Sequence, residues 1–402
     1  MRKLIAFGLV LGLYLSGLSI SEAVASETPI HGVVVVLGQQ GNMFKLSIEQ
    51  LETLNRARIN QAKDSGFNLV RIQIPMRAYF PSPSAEEQDK TLRLAKDTVD
   101  TAFAAGLRVS VTFEVPWETG ARKVVCDGQY RAEYKAGFTQ ILKQLPDSPN
   151  IVMEAMGEPP SCLADRPGNL VWSSFQWDLY RTVRSILPHA RYIVTATGWG
   201  TLGGLLKYDP RDYLSDPSTF YTFHFYEPFL FTHQQADFLR SDHINKYVQN
   251  LRWPYDPANA SAVERAAQTA MQQDKTLTAD QKQADAAALH QLFVDYQTQG
   301  TAAYLASRFD LAAKWAVDHH VPPEHIFIGE FGVRRPTAGP GKAGLPWVTS
   351  SDWLAAVRKA AQSHNMNWVT WDLDSGFGVI CPDGHLCPGY SSAFGLEQER
   401  SQ

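Results

Sequence analysis

The sequence predicts a (β/α)8 barrel with a helical insertion after the sixth strand. Eight short runs of apolar and β-branched residues alternate along the chain with longer segments of helical periodicity. Strands that are apolar almost throughout are typical of a parallel sheet that helices cover on both faces. Eight such strand–helix units are the number that closes the sheet into a barrel, and the 402 residues are within the size range of barrels with insertions.

The first four strands are predicted from runs that end at breaker or turn residues. Gly66 and Gly106 directly follow two of the predicted helices, where a glycine commonly ends a helix, and Pro75 follows the second strand. The predicted strands cover residues 31–37, 68–74, 107–115 and 150–156, and the helices between them cover residues 48–65, 92–105 and 130–145.

The second half of the chain continues the alternation. Strands are predicted over residues 191–197, 220–226, 325–329 and 367–373, and helices over residues 169–187, 301–319 and 353–363. The long segment between residues 229 and 300 is the main irregularity, and its Ala- and Gln-rich part, residues 262–299, has helical character. We interpret it as an insertion on the barrel rim, which forms either a wall of the cleft or a peripheral helix pair.

The N-terminal end has the three parts of a secretory signal peptide. Met1-Arg2-Lys3 precedes the apolar residues 4–20, and Ala23-Val24-Ala25 is a small-x-small cleavage site. We therefore expect residues 1–25 to be a signal peptide, residues 26–402 to form a single domain, and the mature protein to be secreted or periplasmic. The alternative is an uncleaved anchor, for which the apolar run is short.

Four cysteines in an exported protein suggest disulfides. They allow three pairings, of which we favour Cys126–Cys162, which would tie two neighbouring loops, and Cys381–Cys387, which would close a small Pro/Gly loop. A zinc site is the alternative, but the chain has no CxxC spacing.

The charge of the chain narrows the choice of partners. The formal net charge is −4, which provides neither a basic surface for nucleic acid nor a stripe for membranes. The sequence has no glycine-rich phosphate loop at a strand end and no nucleophile-elbow serine. We expect no cofactor and no metal, and we expect the protein to act as a monomer.

Glu158 and Glu330 each follow a short apolar run that has the character of a buried strand. In a barrel of this kind the carboxyl ends of the strands meet at one rim, where the chemistry takes place. Two carboxylates that reach one rim from different strands can supply the acid and the nucleophile or base of glycoside hydrolysis. The two residues are therefore the predicted catalytic pair.

Further polar and aromatic residues are expected at the same rim, as groups that bind the substrate or support the catalytic pair. An arginine can pair with a carboxylate, a tyrosine and a histidine can hydrogen-bond to one, and tryptophans stack on sugar rings. The residues are Arg71, Glu114, Trp117, Trp199, His224, Tyr226 and Trp371.

The rim residues occur in short motifs that together resemble glycoside hydrolase family 5, the cellulase type, over essentially the whole chain after the signal peptide. The motifs are Val70-Arg71-Ile72, Met153-Glu154-Ala155-Met156-Gly157-Glu158-Pro159, His224-Phe225-Tyr226-Glu227-Pro228, Gly329-Glu330-Phe331-Gly332 and Trp368-Val369-Thr370-Trp371. The resemblance implies that Glu158 is the acid/base and Glu330 the nucleophile.

The other rim residues have roles that fit this assignment. Arg71 is expected to hold the nucleophile ionised, and Tyr226 to donate a hydrogen bond to its other oxygen. His224 is expected to position the substrate or to bond to the acid/base, and Trp371 to form the floor beneath the sugar that is cleaved.

Two positions depart from the pattern of the family. The residue before the acid/base is usually an asparagine that bonds to the sugar 2-hydroxyl, and here it is Gly157. A histidine usually lies near the end of the third strand, and residues 113–117 contain none. Both departures concern the point of cleavage, so they imply a different sugar, a different rate or a degenerate enzyme.

The sequence thus predicts a secreted retaining hydrolase of a β-linked polysaccharide, with a β-1,4-glucan such as cellulose as the leading substrate. A mannan, or transglycosylation of another β-glycan, would need the same residues. A catalytically weak barrel that binds glycan is the alternative from another class of protein, but the pair of glutamates with Arg71 and Tyr226 argues against it.

Overall fold

A computed structural model of the protein describes residues 29–38, 45–115, 119–162, 170–238, 243–335 and 347–396. In these ranges eight parallel strands pair in sequence order and close into a barrel, so the predicted (β/α)8 fold is confirmed. The predicted signal peptide and Trp117 lie outside the described residues. The described residues contain no helix that is both long enough and apolar enough to cross a membrane.

Helices surround the barrel in the order that the sequence predicts. The strands are β1 His31–Val36, β2 Leu69–Pro75, β3 Arg108–Glu114, β4 Ile151–Glu154, β5 Arg191–Thr195, β6 Thr219–Phe225, β7 Ile326–Phe331 and β8 Asn367–Thr370. The helices are α1 Ile48–Asp64, α2 Ala85–Ala104, α3 Thr119–Val125, α4 Arg131–Leu142, α5 Leu170–Ile186, α6 Leu202–Leu205, α7 Phe229–Thr232, α8 Pro257–Gln273, α9 Ala279–Gln299, α10 Ala302–Asp318, α11 Trp347–Ser363 and α12 Tyr390–Phe394.

Side chains alternate between the two faces of each strand, and this alternation positions the site. On β2, Val70 and Ile72 belong to the large apolar core around the barrel, whereas Leu69 belongs to a small apolar cluster with residues of other strands. Arg71 shares the face of Leu69. The inner face is thus apolar near the start of β2 and polar near its end.

Several elements differ from their predicted bounds, and helix α11 begins at Trp347 rather than at residue 353. Helix α2 begins at Ala85 rather than at residue 92, because the Ser84 side chain caps it by accepting a hydrogen bond from the Glu87 amide. Helix α3 was not predicted. Strand β4 ends at Glu154, so Glu158 lies four residues beyond the strand rather than at its end.

The insertion after β6 forms a helix pair, α8 and α9, which pack against each other. Helix α9 also contacts α7 and α10. Residues before the pair, namely Phe229, His233 and Phe238, line the cleft, but no described residue of α8 or α9 does so. The helix pair is therefore peripheral, which is one of the two arrangements expected from the sequence.

All four cysteines form disulfides, and the pairing is the one favoured from the sequence. Cys126 at the end of α3 bonds to Cys162 in the segment that follows Glu158. Cys381 bonds to Cys387 beyond β8. The alternative of a zinc site on the cysteines is excluded, because none of them is a free thiol.

Candidate active site

A cavity of about 770 Å³ lies at the carboxyl ends of the strands. This is the rim at which barrel enzymes carry their chemistry. The cavity brings together seven of the residues predicted from the sequence, namely Glu114, Glu158, Trp199, His224, Tyr226, Glu330 and Trp371. Arg71 is fully buried and reaches the site through Glu330.

Arg71 is held between two carboxylates. Its Nη1 donates to Glu330 at 2.7 Å, and its Nε and Nη2 donate to one oxygen of Glu154 at 3.0 and 2.7 Å. Burial by itself would lower the pKa of Arg71, but the charges of Glu154 and Glu330 outweigh this and raise it. The guanidinium therefore stays charged, with its orientation fixed from both sides.

Glu154 and Thr195 complete this buried network, and sequence reasoning did not assign either of them to the site. The Thr195 hydroxyl donates to the second oxygen of Glu154 at 2.7 Å, and both residues are fully buried. The sequence did contain a signal for Glu154, which is a carboxylate in the middle of a predicted apolar strand. Such a charge is rarely buried without a partner, so a buried cation was to be expected beside it.

A register shift between β6 and β7 aims Glu330 into the barrel. Phe223 pairs with Ile328, but His224 pairs with Glu330, so Gly329 is an additional residue on β7. Without it the alternation would point residue 330 towards the outer core, on the face of Ile328. A Cβ atom on Gly329 would lie 2.6 Å from the Thr222 hydroxyl, which explains the glycine at this bulge.

Both carboxylate oxygens of Glu330 accept hydrogen bonds. Arg71 donates to one oxygen, and the Tyr226 hydroxyl donates to the other at 3.0 Å. Burial and then the negative charge of Glu330 raise the pKa of Tyr226 well above its ordinary value, so the phenol remains a donor. Glu330 is itself 5% exposed, and these two donors fix its orientation.

His224 lies between the two glutamates. Its Nδ1 is 3.1 Å from a Glu158 oxygen and 3.5 Å from a Glu330 oxygen. Burial lowers the pKa of His224, but Glu330 and Glu158 outweigh it and raise the pKa above the ordinary value. In contrast to the buried Glu330, the Glu158 side chain is 33% exposed and faces the cleft.

Oxygens of Glu158 and Glu330 and a ring nitrogen of His224 all lie within 4.8 Å of one another. The two carboxylates are thus about as close as in retaining glycosidases, at about 5 Å, and closer than the roughly 6.5–9.5 Å of inverting enzymes. The three residues could geometrically contact a cation, but Arg71 and Tyr226 already bind Glu330. That the protein needs no metal stays a prediction.

Aromatic side chains form the walls of the cleft. Trp371 follows β8, and Trp199 follows β5 in a left-handed conformation with φ of 62°. Its neighbours Gly198 and Gly200 also have positive φ, and Gly200 leaves space for the Gly157 carbonyl. The sequence did not identify the other aromatic residues of the wall, which include Phe229, Phe238 and Phe377.

Gly157 lies against Arg71. A Cβ atom built on Gly157 would lie 2.9 Å from Nη2 of Arg71 and 3.3 Å from the Thr112 hydroxyl. The backbone at Gly157 has no positive φ, so a conformation that only glycine adopts is not the reason for the residue. The missing side chain instead leaves room for the guanidinium.

A search of known proteins found a relative that is named as an endoglucanase. The chain is 22% identical over 362 residues to Endoglucanase 3 of Fibrobacter succinogenes, which covers 85% of this chain. The chain spans about half, 49%, of the length of that relative.

Solved structures share the fold. Cel5A of Thermotoga maritima in complex with cellobiose superposes with a TM-score of 0.62 at 18% identity, over 91% of this chain and 97% of that one. The cellulose synthase subunit Z of Clostridioides difficile has a TM-score of 0.61 at 19% identity, over 91% and 99%. The model of the glycosyl hydrolase family 5 cellulases matches residues 36–376, and the chain belongs to that family.

Proposed function

We propose that the chain is a retaining endo-β-1,4-glucanase, and that residues 26–402 form its catalytic domain. The observation that carries this proposal is the approach of the Glu158 and Glu330 oxygens to within 4.8 Å across one cleft. Membership of the cellulase family and the likeness to a relative named as an endoglucanase support a β-1,4-glucan as the substrate.

In the first step, the Glu158 carboxyl transfers its proton to the glycosidic oxygen while a Glu330 oxygen attacks the anomeric carbon. The bond between that carbon and the leaving sugar breaks, and an ester to Glu330 forms. Arg71 fixes the direction of attack because it is itself held by Glu154. Tyr226 donates to the Glu330 oxygen opposite the one that Arg71 contacts.

In the second step, Glu158 acts as a base. It takes a proton from a water molecule whose oxygen attacks the anomeric carbon, and the ester bond to Glu330 breaks. Two displacements at one carbon restore its original configuration. His224 is the positioning residue for Glu158, since its ring nitrogen lies 3.1 Å from that carboxyl.

Variants of the two glutamates test the proposal. Glu330→Gln should abolish hydrolysis of soluble β-glucan, because the amide cannot form the ester. Glu158→Ala should lose activity on polysaccharide and regain part of it with azide on substrates with good leaving groups. The matched control is Glu264→Gln on the peripheral helix α8, where Glu264 contacts His290, and it should keep the activity of the parent.

A panel of β-glucans and β-mannans, with the first-formed anomer read by NMR, separates this function from the others. Retention with internal cleavage of β-1,4-glucan supports the proposal. An inverted product, or full activity of Glu330→Gln, would contradict it. Exclusive cleavage of mannan would change the substrate, predominant transfer to sugar acceptors would indicate a transglycosylase, and binding without turnover would indicate a glycan-binding barrel.

We also propose that the protein is exported. Disulfides persist in oxidising compartments, and the two bonds in the described residues support a periplasmic or extracellular location. A polymeric substrate outside the cell agrees with this location. N-terminal sequencing of the secreted protein would test the expected start at residue 26.

A further inference from the structure

Glu114 is a third carboxyl group in the cleft that the two-step mechanism does not use. It is the last residue of β3 and lies on the inner face of that strand, in alternation with the outward Val111 and Phe113. The side chain is partly buried and lines the same cavity as Glu158 and Glu330. Its place at the strand end puts it at the same rim of the barrel as Glu158 and Glu330.

The charged and phenolic donors nearest the two glutamates, and one ring nitrogen of His224, are directed at groups other than Glu114. Arg71 donates to Glu154 and Glu330, the Tyr226 hydroxyl donates to Glu330, and Nδ1 of His224 faces Glu158 and Glu330. Among the described parts of the chain, no residue forms a hydrogen bond or an ion pair with the Glu114 carboxyl. The Glu114 carboxyl is therefore available to form a hydrogen bond with a molecule that enters the cavity.

The surroundings of Glu114 disfavour its charged form. Burial is the largest cause, followed by the negative charges of Glu158 and Glu330, and together they raise its pKa to about 7. A carboxyl group that keeps its proton has both an O–H donor and an acceptor oxygen, whereas a carboxylate can only accept. Sugar hydroxyls need donors as well as acceptors.

We propose that Glu114 binds the sugar at the point of cleavage as a neutral carboxylic acid, and that its O–H group donates a hydrogen bond to a substrate hydroxyl. This inference rests on the proposed function, because it assumes a glycan in the cleft. Glu114 is then a specificity-determining residue, distinct from the pair that forms and breaks bonds. Loss of its proton removes the donor and places a further negative charge in the cleft beside Glu330, so binding weakens as the pH rises through about 7.

The test measures binding without turnover, by calorimetry with a thio-linked cello-oligosaccharide between pH 5 and 9. For the parent, we expect the affinity to fall about tenfold across this range, the amount that one lost hydrogen bond to the sugar explains. Glu114→Gln keeps an N–H donor and cannot titrate, so its affinity should equal that of the parent at pH 5 and fall less than that of the parent up to pH 9, where the remaining change comes from His224. Glu114→Ala should bind about tenfold more weakly than the parent at pH 5.

The control is again Glu264→Gln, which removes a carboxyl outside the cleft and should keep the pH dependence of the parent. If Glu114→Ala does not fold, the comparison of the parent with Glu114→Gln decides alone. A parent affinity that is constant from pH 5 to 9, or a Glu114→Gln variant that binds about tenfold more weakly than the parent at pH 5, would overturn the inference while the parent still cleaves β-glucan. A parent that neither cleaves nor binds any of the β-glycans would overturn the proposed function and this inference with it.

Discussion

Arg71 determines much of the geometry of the site, although it does not line the cleft. Its three hydrogen bonds to Glu154 and Glu330 use the forked shape of the guanidinium, which a lysine could not reproduce. Removing one partner would leave a buried charge uncompensated, which in other proteins costs about 3–5 kcal/mol. The buried network therefore links the conformation of Glu330, the proposed nucleophile, to the stability of the barrel.

The contact of Gly157 with Arg71 changes what a substitution there should do. In the sequence, Gly157 stands where the family usually has an asparagine that bonds to the sugar. In the structure, any Cβ would lie 2.9 Å from Nη2 of Arg71, and that group cannot yield easily because Glu154 and Glu330 hold it. We predict that Gly157→Ala lowers kcat/KM about tenfold or more, equivalent to about 1.4 kcal/mol of transition-state stabilisation.

A second glycine provides the control for this prediction. A Cβ on Gly203 in α6 would meet only the Thr201 hydroxyl, at 3.8 Å, so Gly203→Ala should keep the kcat/KM of the parent. Steady-state kinetics on a soluble β-glucan compare the two variants. Equal kinetics for Gly157→Ala and the parent would show that Arg71 has room to move.

At the scale of elements, the strands were predicted well because a continuous apolar run marks each of them. All eight lie in the barrel in the expected order. It could not predict the bulge at Gly329, because an extra residue in one strand is defined only against the register of its neighbour. The prediction missed the start of helix α2 because the first turn, with Glu86 and Glu87, is polar and lacks the apolar periodicity by which helices were recognised. Glu154 was missed because its importance depends on Arg71, 83 residues away in the chain.

The two disulfides should differ in their contribution to stability. In the chain-entropy account, a bond that closes a longer loop restricts the unfolded chain more. Cys126–Cys162 spans 36 residues and Cys381–Cys387 spans 6, which corresponds to about 4 and about 2 kcal/mol. We predict that the double replacement of Cys126 and Cys162 by serine lowers the free energy of unfolding by more than the same replacement of Cys381 and Cys387.

Chemical denaturation of the two double variants, side by side, measures this difference. Kinetics add a second readout, because Cys162 lies four residues after Glu158, so loss of the first bond should also lower kcat. If the pair with the short loop proves the more stabilising, then contacts in the folded state rather than loop length determine the effect.

At the scale of the whole molecule, buried acids make folding sensitive to pH. Asp372, which follows β8, is fully buried, and its Oδ2 has no hydrogen-bond partner among the residues that the structure covers. Burial is the main cause that raises the pKa of Asp372 to about 6, with Asp374 adding to the shift, while Ser375 and Arg58 oppose it. The folded protein thus holds a proton on Asp372 more tightly than the unfolded chain does.

The sign of the effect follows from linkage. Because the folded pKa of about 6 exceeds the ordinary value of 3.8, the stabilisation from the bound proton is complete below about pH 4 and is lost as the pH rises through about 6. A difference of about two pKa units corresponds to up to about 3 kcal/mol. We predict that Asp372→Asn, which has nearly the same shape and no titration, gains up to this amount of stability relative to the parent between pH 4 and pH 7.5.

Urea denaturation of both proteins at several pH values measures the difference directly. Other buried groups, including Glu114 and His224, remain in both proteins, so subtracting one curve from the other isolates Asp372. Asp295 on α9 is exposed, and Asp295→Asn should follow the pH dependence of the parent. A difference between Asp372→Asn and the parent that does not change from pH 4 to pH 7.5 would mean that Asp372 is already ionised in the folded barrel at pH 4, and that Arg58 compensates its burial.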